Sequence, residues 1–406
     1  MYLNIKNGLV HSIIVFITLT LLIACGSDSS SYSEQPKLKA TEPELLYGKT
    51  GDEKLHEELE AIRTQYNMPA LAAFIVSSDA LLEMDVSGYR ISGQPTLVTT
   101  EDRWSIGSFT KSITATVASR LVEQGLISLE SDVLEIFPEL SGKIKPEYEH
   151  LTLRDLLSMT SGLKRDLDSM FTGQWHMDQR SMTEQRYSWT IELLNTEPET
   201  TKGTFLYSNA GYVLAGHMLE RVTGQSWEAL VAQEIAVPLE MNLIDFGTAS
   251  FMDPDNQPSG HQIRDGQWHA ITAADRVSLP KVIGPAGTIN TNLHDLSLYL
   301  QAHLSGAMGK GNIVSTDSYA HMHSPVSESY GLGWILKENN QFHHNGFTGS
   351  FYLDNLIIPE ENIALLAVTN GSTTQVREAV EQAIAVMLER SVVQSGMAVN
   401  PSFLPI

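Results

Sequence analysis

The amino-acid sequence predicts a mixed α/β (α+β) protein, in which an antiparallel sheet is flanked by N- and C-terminal helices and interrupted by a large, mostly helical insertion. Two observations predict this fold class. Apolar runs typical of strands lie near both ends of the chain, at residues 71–89 and between residues 331 and 369. The residues between these runs show helical hydrophobic spacing, broken by loops rich in proline and glycine.

The folded part of the chain is predicted to begin with a helix and two strands. Apolar residues recur at helical spacing between residues 52 and 65, which predicts an amphipathic helix. Short apolar runs at residues 71–77 and 81–89 then predict two strands. Ser108 opens a second helix, and Gly125 is placed where a glycine commonly ends one.

Residues 126–325 are predicted to form a helical lobe. Its clearest helical patterns lie at residues 151–159, 212–222, 227–235 and 293–304. Beyond them, strands and one last helix are predicted at residues 331–337, 350–358, 362–369 and 374–390. The sheet lobe therefore combines residues 47–125 with residues 326–392, and residues 393–406 form a C-terminal tail.

Residues 1–24 have the layout of a secretory signal peptide. Lys6 supplies the positive charge, an apolar run follows, and the run ends directly before Cys25, the only cysteine in the chain. A cysteine at this point resembles a bacterial lipobox, which implies lipid attachment to Cys25 and cleavage before it. An uncleaved N-terminal anchor is the alternative. Residues 25–46 then form a lipidated and flexible tether.

The charge of the chain limits its partners. The formal net charge is −22, and it becomes −23 without residues 1–24, because Lys6 is the only charged residue among them. So acidic a protein is repelled by nucleic acid and by anionic lipid, and we expect neither as a partner. We interpret the charge as a soluble acidic surface, with contact to the membrane made through the lipid on Cys25.

Several enzyme classes are disfavoured by motifs that the sequence lacks. The chain contains no G-x-S-x-G elbow and no glycine-rich phosphate loop of the Walker type. The nearest histidine pairs are His321 with His323 and His343 with His344, and neither has H-E-x-x-H spacing. Adjacent residues on a strand point to opposite faces, so the second pair is unsuited to one ion. We expect no metal and no cofactor.

The first candidate for chemistry is the pair Ser108 and Lys111. A serine and a lysine three residues apart on a helix lie on the same face, one turn apart. An ordinary lysine is protonated at neutral pH, but burial beside other cations can lower its pKa until it accepts the serine proton. The start of a helix also directs the backbone N–H of Ser108 toward a developing oxyanion.

Two other segments have the same S-x-x-K spacing, at residues 161–164 and 278–281. The first contains Gly162 and follows a helical pattern, which is typical of a helix end. The second contains Pro280, which disfavours a regular helical turn. For Ser108 itself, the alternative is the N-cap of a surface helix.

Two further motifs follow along the chain. Tyr207 and Asn209 form its only Tyr-x-Asn after residue 24, and a phenol near a lysine can exchange protons while the amide binds a carbonyl. His344 and Gly346 form its only His-x-Gly, in which the glycine lets a substrate backbone come close to a strand. The alternatives are a loop for the first motif and a surface hairpin for the second.

Together and in this order, the three motifs resemble those of the serine β-lactamase and penicillin-binding protein superfamily. The likeness is greatest to the class C-like branch, which includes β-lactamases, DD-peptidases and carboxylesterases of β-lactamase fold, and it covers roughly residues 50–392. Further stretches that resemble the family lie at residues 104–108, 156–163, 284–287 and 330–334.

The resemblance implies a role for each site residue. Ser108 is the acylated nucleophile, Lys111 assists its deprotonation, and Tyr207 serves as general base and then as acid to the leaving group. Asn209 orients the substrate. The backbone N–H groups of Ser108 and Phe347 form the oxyanion hole, while Gly346 and His344 border the substrate.

His344 stands where many family members carry the lysine of a Lys-Thr-Gly triplet. A lysine there helps to hold a substrate carboxylate, and histidine carries less charge at neutral pH. The resemblance therefore favours ester or uncharged acyl substrates over penicillins.

The function expected from the sequence is that of a cell-envelope serine hydrolase, which acts through an acyl-enzyme on esters or on D-peptide-like amides. A β-lactamase is one alternative, and a non-catalytic lipoprotein that binds envelope ligands is another. The enzyme is expected to be exported and lipid-anchored, on the outer membrane if the source is Gram-negative. The sequence leaves the acyl preference and the oligomeric state open.

Overall fold

The helices and strands are numbered here in chain order. The computed structural model describes residues 51–247, 256–272 and 279–395, all within one compact unit that spans residues 45–406. The strands are β1 Ala70–Val76, β2 Leu81–Gly88, β3 Trp104–Ser105, β4 Asp245–Phe246, β5 His261–Arg264, β6 Gln267–Ala270, β7 Ile289–Thr291, β8 Ile335–Leu336, β9 Phe342–His343, β10 Gly346–Phe347, β11 Tyr352–Ile358 and β12 Ile363–Thr369. The helices are α1 Leu55–Gln65, α2 Thr110–Glu123, α3 Val133–Ile136, α4 Leu153–Leu157, α5 Gln174–Met177, α6 Met182–Leu193, α7 Asn209–Thr223, α8 Trp227–Val231, α9 Gly284–Gly287, α10 Leu293–Ala307, α11 Thr316–Met322 and α12 Thr374–Ser395.

A seven-stranded antiparallel sheet joins the two ends of the folded chain. Its strand order is β2-β1-β12-β11-β9-β8, and β10 pairs with β11. The central pair places Phe74 opposite Leu366. Two small sheets accompany it, β3-β7-β4 and the hairpin β5-β6. The predicted fold class, an antiparallel sheet flanked by terminal helices with a helical insertion, is confirmed.

Strand β1 shows why the sheet is covered on both faces. All seven of its residues are buried. Because side chains alternate along a strand, Leu71 and Ile75 pack with α1 and α12, whereas Phe74 and Val76 pack into the core that the helical insertion shares. A strand that is buried on both faces consists of a continuous run of apolar residues, and β1 has this pattern.

The stretch predicted as a strand at residues 331–337 differs from the prediction. Only Ile335–Leu336 is a strand, and the preceding residues form a turn that packs tightly on its neighbours. A Cβ at Gly331 would overlap the Met322 carbonyl, and one at Gly333 would lie 2.8 Å from the Lys111 carbonyl oxygen. Gly333 also has a φ of +78°, which glycine adopts at little cost.

Several predicted segments and boundaries lie beyond what the structure tests. Residues 1–50 are outside the described residues, so the signal peptide, Cys25 and the tether stay predictions, as does most of the tail. The lobe boundaries at residues 125 and 326 also stay predictions. Among the described residues, no helix is both long enough and apolar enough to cross a membrane.

A buried arginine ties the two terminal helices to the sheet. Arg390 on α12 has no exposed side-chain surface, and it forms ion pairs with Asp52, with Glu58 on α1 and with Glu83 on β2. The distances are 2.6, 2.9 and 2.7 Å. A guanidinium has five N–H donors, so it can serve carboxylates on several segments at once.

We predict that Arg390→Met lowers the free energy of unfolding by about 3–5 kcal/mol, because it leaves buried carboxylates without their counter-ion. The matched control is Arg154→Met, which removes an exposed pair with Glu130 and should cost less than about 1 kcal/mol. Urea unfolding of the three proteins measures both values. Equal losses in the two variants would contradict the structural role of Arg390.

Candidate active site

Ser108 lies in a tight turn that leads directly into α2. Residues Gly107–Phe109 form one turn of 3₁₀ helix, and the Ser108 side chain is half-buried. Gly107 has a φ of +50°, and a Cβ there would lie 2.5 Å from the backbone nitrogen of Phe347. A glycine is therefore required at this position, and it lets β10 approach the turn that carries the serine.

Lys111 lies on the first turn of α2 with its side chain completely buried. Its Nζ is 3.0 Å from Ser108 Oγ and donates a hydrogen bond of 2.6 Å to the Ala286 carbonyl on α9. Burial lowers the pKa of the Lys111 amine well below its usual 10.5, although nearby Asp166 opposes this and Arg165 adds to it. Burial therefore favours the neutral amine, whose lone pair can accept the serine proton.

Tyr207 completes the contacts of the serine. Its phenol lies close enough to the Ser108 hydroxyl to interact with it, and its ring centroid is 4.9 Å from Lys111 Nζ. Burial raises the pKa of the Tyr207 phenol to about 12, although the interaction with Ser108 acts in the opposite direction. Tyr207 therefore keeps its proton at neutral pH and is suited to donate it.

Asn209 is the first residue of α7, directly after the N-cap Ser208. The Asn209 amide nitrogen donates a 2.8 Å hydrogen bond to Asp166. Its carbonyl oxygen is the part of the amide that remains to bind a substrate N–H group. Asp166 thus holds Asn209 beside Tyr207, and the sequence analysis did not identify this aspartate.

The predicted oxyanion donors are the backbone N–H groups of Ser108 and Phe347. Strand β10 runs along the serine turn so closely that a Cβ at Gly346 would overlap the Ile106 carbonyl. The backbone N–H of Phe347 is thereby placed beside the turn that carries the N–H of Ser108. Two N–H groups in this arrangement can bind the negative oxygen of a tetrahedral intermediate.

His344 is fully buried behind these groups rather than exposed to a substrate. Its Nδ1 donates to the Asn345 carbonyl at 2.7 Å, which leaves Nε2 to accept from the Tyr330 hydroxyl at 3.1 Å. Burial, together with the nearby Lys111, lowers the pKa of His344 to about 3, so the ring is neutral. Its centroid is 6.4 Å from that of the Tyr207 ring. His344 therefore supports the wall of the site without carrying charge.

The structure thus brings Ser108, Lys111 and Tyr207 into direct contact, places Phe347 beside them, and keeps His344 buried behind them. The carbonyl of Ala286 binds Lys111, and although residues 284–287 resemble the family, no sequence pattern predicts this contact. Residues 278–281, which carry a competing S-x-x-K spacing, include Pro280 at the start of a 3₁₀ turn, while Ser278 lies outside the described residues. Within the part of the chain that the structure describes, no group of three or more potential metal ligands occurs.

Comparison with known proteins shows which family the chain resembles. The family model described as Beta-lactamase matches residues 54–388. Penicillin-binding protein 4 of Amycolatopsis lactamdurans is 23% identical over 349 residues, which cover 78% of this chain and 84% of that protein. Protein flp of Staphylococcus aureus (strain MRSA252) is 23% identical over 329 residues, which cover 78% of this chain and 62% of that protein, so the chain spans about three fifths of its length.

Solved structures show the same fold. The octameric penicillin-binding protein homologue from Pyrococcus abyssi superimposes with a TM-score of 0.65 at 24% identity, covering 82% of this chain and 77% of that chain. The D-alanine carboxypeptidase AmpC from Burkholderia cenocepacia superimposes with a TM-score of 0.62 at 20% identity, covering 82% and 97% of the two chains.

Proposed function

This chain belongs to the Beta-lactamase family, and from that premise we propose that it is a serine hydrolase that forms an acyl-enzyme on Ser108. One observation carries the proposal: the Ser108 hydroxyl contacts both a buried lysine amine and a protonated tyrosine. A hydroxyl in contact with a base and an acid is the arrangement that nucleophilic acyl transfer needs.

The pKa shifts of Lys111 and Tyr207 favour Lys111 as the base. Burial lowers the pKa of the Lys111 amine, so its lone pair takes the proton as Ser108 Oγ attacks the substrate carbonyl. The resulting oxyanion is held by the N–H groups of Ser108 and Phe347. Tyr207 is expected from the family likeness to act as base first, but its raised pKa keeps it protonated at neutral pH, so the Lys111 amine is the more available base.

Tyr207 is assigned as the acid for the second half of acylation, because it still holds its proton at neutral pH and lies beside Ser108. It gives its proton to the departing oxygen or nitrogen as the bond to the carbonyl carbon breaks, and the proton held by Lys111 replaces it. Lys111 Nζ lies 4.9 Å from the centre of the Tyr207 ring, so the amine and the phenol lie beside the same part of the site. Water then attacks the acyl-enzyme by the reverse sequence of transfers.

The substrates that fit this proposal are esters and D-peptide-like amides. A structural neighbour is named as a D-alanine carboxypeptidase and a relative as a penicillin-binding protein, which supports the amide class. Lactam hydrolysis is the second candidate, on the strength of the family match. His344 is neutral and buried and brings no positive charge toward a penicillin carboxylate, so that group would have to be bound by another residue.

We also propose that the enzyme is exported and held in the cell envelope by a lipid on Cys25, which follows an apolar run. Expression of the full chain in a bacterium that processes lipoproteins, with a radiolabelled fatty acid, tests this. The parent should carry label and sediment with membranes, and Cys25→Ser should carry none. Equal labelling of both proteins would contradict the proposal.

We predict that the full-length protein in detergent hydrolyses short-chain p-nitrophenyl esters, and that Ser108→Ala lowers kcat/KM by at least about a thousandfold. The spectrophotometric assay runs beside Ser161→Ala, which removes the serine of a competing S-x-x-K segment and should retain most activity. A D-alanyl-D-alanine peptide and a chromogenic cephalosporin, assayed in parallel, separate the three substrate classes. A folded parent that turns over none of them would favour a non-catalytic binding protein.

The pH dependence follows from the same two side chains. Lys111 must be deprotonated, so kcat/KM should rise with pH and level off well below 10.5, the usual lysine value. Tyr207 must be protonated, so activity should fall only as pH approaches about 12. Tyr207→Phe should lower kcat by roughly 10²–10⁴-fold and remove the alkaline decline.

These two changes are measured by a pH–rate profile of kcat/KM for the parent and for Tyr207→Phe. Circular dichroism at each pH checks that both proteins are folded. An activity that still rises at the ordinary pKa of lysine would show that Lys111 is protonated in the free enzyme and would contradict its assignment as the base.

A further inference from the structure

We propose that Arg165 binds a carboxylate of the substrate close to the scissile bond, so that the enzyme selects anionic acyl compounds. This inference rests on the proposed hydrolase function and adds the class of substrate to it. It assigns to Arg165 the anion-binding role that neutral His344 does not fill.

The backbone around Arg165 is fixed to the Tyr207–Asn209 motif. Ser208 Oγ donates to the Lys164 carbonyl at 2.6 Å, and the N–H of Ala210 donates to the Arg165 carbonyl at 3.1 Å. Asn209 donates to Asp166 at 2.8 Å. Residues 164–166 are therefore each hydrogen-bonded to one of residues 208–210, and the side chain between them must emerge next to the tyrosine.

The Arg165 side chain lies over Tyr207 and faces solvent. Its guanidinium carbon is 5.0 Å from the centroid of the Tyr207 ring, and 61% of the side chain is exposed. A guanidinium that stacks on an aromatic face keeps its N–H edge available for a second partner. The group is thus held at the mouth of the site, adjacent to the residue that contacts Ser108.

The hydrogen-bonding capacity of Arg165 is not used by the protein. Its closest carboxylate is that of Asp166, with a separation of 3.5 Å between Nε and Oδ2, whereas Asn209 binds the other oxygen of that carboxylate. Throughout residues 51–247, 256–272 and 279–395, the guanidinium donates no hydrogen bond. Five N–H groups in a planar fork match the two oxygens of a carboxylate.

The charges around the site bear on how much Arg165 contributes to the binding of an anionic substrate. The whole chain has a net charge of −22, so an anionic substrate meets a repulsive surface away from the site. Near Ser108, burial favours the neutral form of the Lys111 amine, and His344 is a neutral ring. Arg165 brings a positive charge beside Tyr207, although Asp166, whose Oδ2 lies 3.5 Å from Arg165 Nε, offsets part of it.

A second exposed cation, Arg377, provides a competing assignment. Its guanidinium carbon lies 5.1 Å from the Phe347 ring centroid and 5.3 Å from that of Tyr352, on the oxyanion side of the site. Arg165 is favoured because its neighbour Tyr207 contacts the nucleophile through its side chain, whereas Phe347 serves the site through its backbone. The experiment includes both arginines.

The test uses matched substrates in which a carboxylate is present or replaced. On the acyl side, mono-p-nitrophenyl glutarate is compared with p-nitrophenyl valerate. On the leaving-group side, 4-carboxyphenyl butyrate is compared with 4-carbamoylphenyl butyrate. The quantity measured is the ratio of kcat/KM within each pair, because Arg165 also lowers the pKa of Lys111 and its replacement alters the rate with every substrate.

We expect Arg165→Gln to lower the anionic-to-neutral ratio by roughly tenfold in one of the two pairs, which identifies where the carboxylate sits. Arg165→Glu should lower it further, and Arg165→Lys should retain part of it. High salt should weaken the preference of the parent. Arg221→Gln is the control, since it removes the same charge from the other end of α7, about 18 Å from Asn209, and should leave the ratio unchanged.

Ratios within about twofold of the parent for both pairs in Arg165→Gln and Arg165→Glu would overturn the proposal, as would a loss of selectivity confined to Arg377→Gln. Failure of the hydrolase assignment would give a different result from failure of the Arg165 proposal. A folded parent that turns over none of the four esters contradicts that assignment, whereas turnover with an unaltered ratio contradicts the role of Arg165 alone.

Discussion

The burial of one lysine amine is the constraint on which the site depends. Lys111 has no exposed side-chain surface, and its amine hydrogen-bonds with a hydroxyl and a carbonyl rather than with a carboxylate. In such surroundings the charged form is disfavoured, which makes the amine available as a base. Ala286, Tyr207 and α2 surround that amine and shield it from water next to Ser108.

The Ala286 carbonyl is held in place by the helices around it. Thr114 on α2 donates to the Pro285 carbonyl at 2.8 Å, and Pro285 packs so closely on α7 that a Cβ at Gly216 would overlap it. The preceding turn is tied to buried Arg186, which donates to the Val282 carbonyl at 3.1 Å. The helical insertion thus positions one backbone oxygen, and through it the amine.

The sheet contributes the other half of the site. Strand β10 reaches the serine turn because Gly107 and Gly346 carry no Cβ, and Gly333 packs on the Lys111 carbonyl for the same reason. The nucleophile therefore lies between the sheet and the helical insertion. Ser108 and Lys111 are far from Phe347 in the sequence. The segment around α2 and the segment around β10 must therefore both fold before these residues are close together.

The sequence predicts the parts of this account that depend on local spacing. Apolar runs predict the central strands, and the three-residue interval between Ser108 and Lys111 predicts that they share a helical face. Residues 331–337 were predicted as a strand, yet tight packing at Gly331 and Gly333 makes most of them a turn. The carbonyl of Ala286 has no side-chain signature, so no sequence pattern could identify it.

Contacts between distant segments account for the rest. The hydrogen bond from Asn209 to Asp166 joins positions 43 residues apart in the chain, and the burial of His344 depends on Tyr330. Neither side chain differs from a surface residue in its local sequence. Only the packing of α7 and β10 against their neighbours makes one an anchored amide and the other a neutral, buried ring.

The most direct test of this account measures the charge of Lys111. Protein labelled with ¹³C at the lysine Cε positions, with the signal assigned by comparison with Lys111→Met, can be titrated by NMR in the absence of substrate. We expect the Lys111 signal to titrate at a pH well below 10.5, the usual lysine value, because burial lowers the pKa of this amine. A Lys111 signal that titrates with the exposed lysines would contradict the central claim that burial makes this amine the base.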